Sequence, residues 1–300
     1  MAPDGQTIWA LLLEYDGGPF VGWQRQDSGL SVQDIVESAA GRLNRGLPVA
    51  ATVAGRTDSG VHAAGQVVAL PLPEGFSPRQ VRDALNYHMK PHPVVVVRAA
   101  PAQAGWNPRF SAIRRSYRYL ILNRRTRPAL LLGRVWHVAA PLDAVAMHAA
   151  AQTLLGTHDF TSFRAAACQA KSPIRSLDRL DVSRDGDAIT IVAEARSFLH
   201  HQVRNFAGTL RLVGDGKWPI EHVSSVLAAR DRSAAGPTAF MPMDIAPAAK
   251  PTTTASCSPM VLTRYMASPF GRIRREERFD PSSPYQWLQV SVHVAAIDFL

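Results

Sequence analysis

Cysteine is scarce in this 300-residue chain. Cys168 and Cys257 stand far apart and outside any CxxC pattern, which excludes a disulfide framework and a zinc knuckle and fits a reducing, cytoplasmic setting. Long apolar runs are absent as well. The stretch Ile8 to Leu13 is too short for a signal core, it follows Asp4 rather than a basic leader, and nothing later approaches the ~18 residues of a membrane span. No GxGxxG follows a strand and no GxSxG elbow is present. VGDGKW (Val213 to Trp218) fails as a P-loop because Arg211 replaces the first glycine and Trp218 stands where Ser or Thr is needed. Cys168 has no nearby histidine to serve as its base. Hydride transfer and Ser or Cys acyl transfer are therefore unsupported.

What is plentiful is positive charge. The net charge is +9 with a pI near 10.1, while 46% hydrophobic content suffices for a buried core. Residues 240 to 300 carry six basic and five acidic side chains, so +8 of the +9 belongs to residues 1–239. A basic body points to a polyanionic partner, with nucleic acid first.

The pattern along the chain alternates short strands with amphipathic helices. Thr7 to Tyr15 reads as a strand stopped by Asp16, Gly17, Gly18 and Pro19. Ser31 and Asp34 form a capping box ahead of Val32, Ile35, Val36, Ala39 and Leu43 at helical spacing. Short β-like runs at Val49 to Val53 and Gln66 to Leu70 flank a glycine-bounded loop. Ser77 and Pro78 then open a helix that Pro91 and Pro93 end before Val94 to Val97. A second set follows: a strand through Tyr117 and Tyr119, a helix from Leu142 to Leu155, and a hairpin from Asp178 to Ala195 turning at Asp185 and Gly186. Helices from His200 to Val213 and from Pro219 to Leu227 complete it. The pattern predicts an α+β fold of two similar half-domains, residues 1–106 and 107–239, with largely antiparallel sheets flanked by helices. Residues 240–300 read as an atypical tail, disordered in large part and rich in Pro, Ala, Thr and Ser to Pro259. The alternation of Leu288, Val290, Val292 and Val294 suits a replacement strand, and an out-of-frame or appended tail accounts for it at least as well.

Three segments could carry chemistry. GRTDSGVHA (Gly55 to Ala63) sets Asp58 between Arg56 and His62, with Gly55 and Gly60 free to take positive φ; the same spacing also suits a plain turn. RFSAIRRSYRYLI (Arg109 to Ile121) interleaves Arg114, Arg115 and Arg118 with Tyr117 and Tyr119. Rings stack on unpaired bases and guanidinium forks hold phosphates, although two core tyrosines would look the same. On a strand, Tyr117 and Tyr119 share one face and Arg118 takes the other. In FLHHQVRNF (Phe198 to Phe206), Arg204 beside Val203 and Phe206 needs a carboxylate partner, and Asp58 would be held ionised by it. His200 with His201, and His88 with His92, invite a metal reading. Adjacent histidines diverge on a helix and Pro91 breaks the other pair's helix, so no metal is expected.

Together with YDGGPFVGWQRQ (Tyr15 to Gln26) and HDFTSFR (His158 to Arg164), these segments resemble the tRNA pseudouridine synthase A family over about residues 7–239. The resemblance implies a pseudouridine synthase-like fold with a central cleft. It also implies an isomerase that turns uridine into pseudouridine at positions 38, 39 and 40 in the anticodon stem-loop of tRNA, as a homodimer and without metal or organic cofactor. Asp58 would be the nucleophile, attacking ribose C1′ or uracil C6 or acting as a base on the ribose. Arg204 would pair with it, Tyr117 would stack on the uracil, and Arg56 would fill the space left by the flipped nucleotide. Read from the residues themselves, Arg114, Arg115 and Arg118 would bind the RNA backbone. A catalytically impaired RNA-binding relative, or a synthase acting on another RNA, would show the same motifs. The departure lies after AGPTA (Ala235 to Ala239), where the family runs into a short final strand and this chain continues for about sixty unrelated residues.

Overall fold

Alternation of buried and exposed positions produces strands here, and capping chemistry sets where the helices between them begin. The computed structural model describes residues 5–103 and 105–240 in full and the backbone of 289–294, all within one unit that takes in residues 1–244 and 287–300. The first half comprises β1 (Gln6–Tyr15), α1 (Val32–Leu43), β2 (Thr52–Val53), β3 (His62–Pro73), α2 (Pro78–His88) and β4 (Val94–Pro101). The second comprises α3 (Pro108–Ser111), β5 (Ala112–Leu122), β6 (Trp136–His137), α4 (Ala144–Gln152), β7 (Gly156–Asp159), β8 (Ile174–Asp185), β9 (Ala188–Ala195), α5 (Gln202–Gly214) and α6 (His222–Ala229). One further strand, β10 (Gln289–Val294), comes from the far end of the chain.

Both capping boxes expected of α1 and α2 are present. Ser31 accepts from Asp34 N while the Asp34 carboxylate accepts from Ser31 N, and Ser77 and Gln80 do the same, with Pro78 in the first turn. The helices α1 and α2 lean on β3 and β4, whereas α4 packs on β8 and α5. The β8–β9 hairpin turns at Gly186, whose φ is +54°.

The strands form one sheet in the order β4-β1-β3-β10-β5-β9-β8-β7, with β2 on β3 and β6 on β5. Pairing is antiparallel except for β10 on β3 and β6 on β5, so the architecture is α+β with helices flanking a largely antiparallel sheet. β10 joins the two half-sheets: Gln289, Val290 and Ser291 run parallel to His62, Ala63 and Gly65, and Val290 to Val294 run antiparallel to Tyr117 through Ala112. The alternation seen from Leu288 to Val294 thus corresponds to a strand over 289–294; the rest of the tail lies outside the described residues.

Several boundaries differ from the sequence pattern. Only Thr52 and Val53 of the 49–53 run pair with a neighbour. β3 begins four residues before Gln66 and carries the chain out of the Asp58 loop directly into the sheet. Most consequential, α5 begins at Gln202 rather than His200, because His201 holds φ 60° and ψ 8° as the residue preceding the helix.

Candidate active site

The Asp58 loop runs between β2 and β3, and the first half of the chain clamps it from behind. Gly22, at φ +111°, brings its backbone so close that a Cβ there would sit 2.7 Å from the Thr57 carbonyl oxygen. Trp23 N donates to that oxygen at 3.0 Å, and Tyr15 Oη lies 2.9 Å from Thr57 Oγ1. Gln66 Nε2 on β3 donates to the Gly55 carbonyl at 2.8 Å and lies 3.4 Å from Tyr15 Oη. Tyr15, Thr57 and Gln66 are all buried. Burial pushes the Tyr15 phenol up to about 12, its bonds to Thr57 and Gln66 only moderating the rise, so it stays neutral. Of the two glycines expected to take positive φ, Gly60 does, at +77°. Gly55 is not among the positive-φ residues; its missing Cβ would lie 3.2 Å from Arg115 Nε, so its role there is space.

Asp58 projects from this loop into a cleft of about 980 Å³ between β2, β5 and the segments 167–170 and 197–204. Arg56, Arg109, Arg115, Arg175 and Arg204 line the cleft, and Asp58 is its sole carboxylate among the described residues. The Asp58 side chain is 30% exposed and meets three cationic or titratable groups. These are His200 Nε2 at 3.5 Å from Oδ1, His201 Nε2 at 3.4 Å from Oδ2, and Arg204 Nη1 at 3.8 Å from Oδ2. Burial alone would raise the Asp58 pKa, but His200, then His201 and Arg204, outweigh it and hold the carboxyl below its ordinary range. In return, Asp58 raises His200. His201 is lowered, since desolvation there exceeds the pull of Asp58. The result is an ionised carboxylate in a cationic, partly dry pocket.

β5 divides its residues between two faces. Arg115, Tyr117 and Tyr119 line the cleft. The Tyr117 ring meets Phe198 edge-on at 5.0 Å, and burial, reinforced by the Asp58 charge, pushes its pKa well above the ordinary phenol value. Arg115 is buried and donates to the carbonyls of Ala54, Arg109 and Arg196, so its donors brace the Asp58 loop against β5 and the segment beyond β9. Arg114 and Ser116 face away and reach Glu194 at 3.4 and 3.1 Å. Arg118 also lies on that far face, 6% exposed, and desolvation lowers it to about 10. Of the six residues expected around Asp58, Arg56, Arg115, Tyr117 and Arg204 therefore line its cleft, whereas Arg114 and Arg118 do not. Arg204 is steadied by donating through Nε to Ala239 O at 3.1 Å, and Tyr119 Oη donates to Phe240 O, which ties the AGPTA segment to the site.

Sequence reasoning set the histidine pair aside because adjacent side chains diverge on a helix. The pair is not on the helix. His200 precedes it and His201 is left-handed, which turns both rings toward Asp58 with centroids 3.9 Å apart. The signal was the placement of HH just ahead of the amphipathic run, where a helix has not yet begun. Tyr15, Thr57 and Gln66 carried no such signal, since a buried polar triad spread over 51 residues has no spacing to detect.

The sequence pattern of the tRNA pseudouridine synthase family matches residues 12–111 and 150–243. Among similar proteins, the tRNA pseudouridine synthase A of Acidiphilium cryptum is 69% identical over 232 residues, covering 77% of this chain and 91% of that protein. The tRNA pseudouridine synthase A of Gluconobacter oxydans is 55% identical over 239 residues, 79% of this chain and 87% of that protein. That of Rhodospirillum centenum is 57% identical over 231 residues, 77% and 94% of the two chains.

Proposed function

We propose that this chain, which belongs to the tRNA pseudouridine synthase family, uses Asp58 as the nucleophile that isomerises uridine to pseudouridine in tRNA. The isomerase activity follows from the family. Asp58 as the reacting group, the anticodon stem-loop as the target and positions 38, 39 and 40 as the uridines are our reading. The observation that carries it is a carboxylate, the sole one in the cleft among the described residues, held ionised by two imidazoles and a guanidinium beside four further arginines and the rings of Tyr117, Tyr119 and Phe198.

The reaction breaks the N1–C1′ bond, turns the uracil, joins C5 to C1′, releases the C5 hydrogen as a proton and returns a proton to N1. It needs no external electrons. What it needs is an enclosed site, a group that supports the electron-poor centre created as N1 leaves, and a platform on which the ring can rotate. The Asp58 carboxylate supplies the second, whether by bonding to C1′, by adding to C6 or by taking a ribose proton. Tyr117, neutral and packed on Phe198, is the platform, and Arg204 with the histidines keeps the carboxylate ready between turnovers. Arg56, exposed on the rim of the loop, fills the gap left in the stacked RNA when the target nucleotide swings out. Arg56, Arg109 and Arg175 meet the phosphates around that nucleotide, whereas Arg115 and Arg204 serve the loop and the carboxylate. The protein works in the cytoplasm as a homodimer, so that one tRNA lies across two copies.

Tritium release from uracil C5 of labelled tRNA transcripts tests the reading, because forming the C5–C1′ bond must expel that hydrogen. Wild-type protein releases tritium from the anticodon arm, and Asp58→Ala releases none while still binding tRNA. Sustained release by Asp58→Ala would overturn the nucleophile. Salt-sensitive binding without release by wild type would leave an impaired RNA-binding relative, and release from outside the anticodon arm would move the target to another site or RNA. Light scattering of the purified protein, with and without tRNA, reads the dimer directly.

A further inference from the structure

Two of the three groups that hold Asp58 ionised are imidazoles, which are also metal-ligand types. Asp58, His200 and His201 each present one ligand atom, and these atoms lie within 4.8 Å of one another. Tetrahedral zinc, with bonds of about 2.0–2.2 Å, separates its ligand atoms by about 3.3–3.6 Å. His200 Nε2 is 3.5 Å from Oδ1 and His201 Nε2 3.4 Å from Oδ2, so each imidazole already stands at a ligand-edge distance from one of the two carboxylate oxygens. All three side chains are partly exposed to the open cleft, which gives an ion a way in and leaves a coordination position for water. The left-handed His201 is the backbone feature that makes this possible. A non-glycine residue is seldom held in that conformation, and such residues cluster at ligand sites.

We propose that Asp58, His200 and His201 form a three-ligand site for Zn²⁺ that inhibits the enzyme. Two imidazoles and one carboxylate are the donor set of open zinc sites and favour Zn²⁺ over Mg²⁺, which prefers oxygen ligands, so the magnesium that accompanies tRNA does not fill it. A bound ion takes the carboxylate lone pairs that the reaction needs and stands where the target ribose must come. Arg204 opposes it. Its Nη1 is 3.8 Å from Asp58 Oδ2 and its stem is anchored to Ala239 O, so its charge stays beside the ion and limits affinity. The site thereby tolerates trace zinc and closes when zinc rises. Coordination is independent of the reaction; the inhibition rests on Asp58 having the role proposed above.

The test uses full-length, tag-free protein. Co²⁺ is titrated in as a spectroscopic stand-in for Zn²⁺, followed by displacement with Zn²⁺. Wild type develops the intense visible bands of four-coordinate Co²⁺ at one equivalent. His201→Asn loses about tenfold or more in affinity. Arg204→Gln gains about tenfold, the Coulomb penalty of a guanidinium beside a dication at water-like dielectric. Circular dichroism confirms that each variant is folded. Tritium release in excess Mg²⁺ falls as Zn²⁺ is added and recovers with a chelator. Absence of four-coordinate bands in wild type, equal Co²⁺ affinity in wild type and His201→Asn, or full activity with the site occupied would each overturn the proposal. Activity persisting in Asp58→Ala would overturn the reaction reading instead and leave the Co²⁺ result standing.

Discussion

Replacing Gln66 with Leu removes the side chain that fastens the Asp58 loop to β3 while keeping similar bulk. Gln66 is fully buried, and its amide donates to Gly55 O at 2.8 Å and lies 3.4 Å from Tyr15 Oη, which in turn meets Thr57 Oγ1 at 2.9 Å. Leu leaves the half-buried Gly55 carbonyl without that donor, at a cost of about 1–3 kcal/mol. For a chain of this size each kcal/mol lowers the melting temperature by about 2–4 °C, so a drop of about 2–12 °C is expected. The kinetic effect is larger than the thermal one, because Gly55 lies three residues before Asp58 and a shift of about 1 Å at a reacting group costs up to ~100-fold in rate. Affinity for tRNA comes mainly from phosphate contacts, which the change does not touch. The expected signature is therefore kcat for tritium release down by about 10–100-fold, with KM within about twofold of wild type. Tyr15→Phe, which removes the hydroxyl shared by Gln66 and Thr57, should act in the same direction. The double variant should be less damaging than the product of the two single effects, since both act on one short segment. A normal kcat in Gln66→Leu together with a lowered melting temperature would refute the reasoning. The triad would then support the fold alone and have no part in aiming Asp58.

Four further outcomes follow from the site and the sheet. His200→Asn removes the largest influence opposing desolvation at Asp58, so the carboxyl pKa rises and the acid limb of the kcat/KM profile moves to higher pH; an unmoved limb would detach His200 from Asp58. His200 is raised in the folded protein, so its contribution to stability is present below its unfolded pKa of 6.5 and is lost as pH rises through the folded value, whereas the Asp58 contribution is lost as pH falls; melting temperatures of wild type and His200→Asn should therefore converge on the alkaline side. Arg115→Ala strips donors from three carbonyls and should lower the melting temperature with little change in the salt dependence of tRNA binding, while Arg56→Ala should reduce that dependence by about one ion; the reverse pattern would make Arg115 the phosphate ligand. Val292→Pro places a residue without an N–H in a strand paired on both sides, and a melting temperature equal to wild type would show that β10 adds nothing to the sheet.

How much of this was legible in the sequence depends on how far apart the cause and its effect lie along the chain. Ser31 with Asp34 and Ser77 with Gln80 are three residues apart, and both helix starts are where those pairs place them. The alternating face of β5 is equally local, and it puts Tyr117 and Tyr119 on the cleft side with Arg118 behind. Arg115 shows the limit of the same rule. Parity gives it the cleft face, but whether its guanidinium meets RNA or protein depends on carbonyls at positions 54 and 196, which no periodicity reports. The histidine pair fails for a different reason: one left-handed residue moves the start of α5 by two positions, and a helical pattern cannot reveal a backbone state that belongs to no helix. β10 is the extreme case. A strand of six residues is visible as alternation, yet its insertion between β3 and β5 pairs positions more than 170 and 220 residues away, and such pairing is chosen by which sheet edges stand open, a property of the folded halves. The Asp58 loop lies between these regimes, since its glycines and carboxylate are a local signal while the grip of Gly22, Trp23, Tyr15 and Gln66 upon it is not. Its chemistry can be read from nine residues, but the geometry that gives the chemistry a direction comes from the whole first half of the chain.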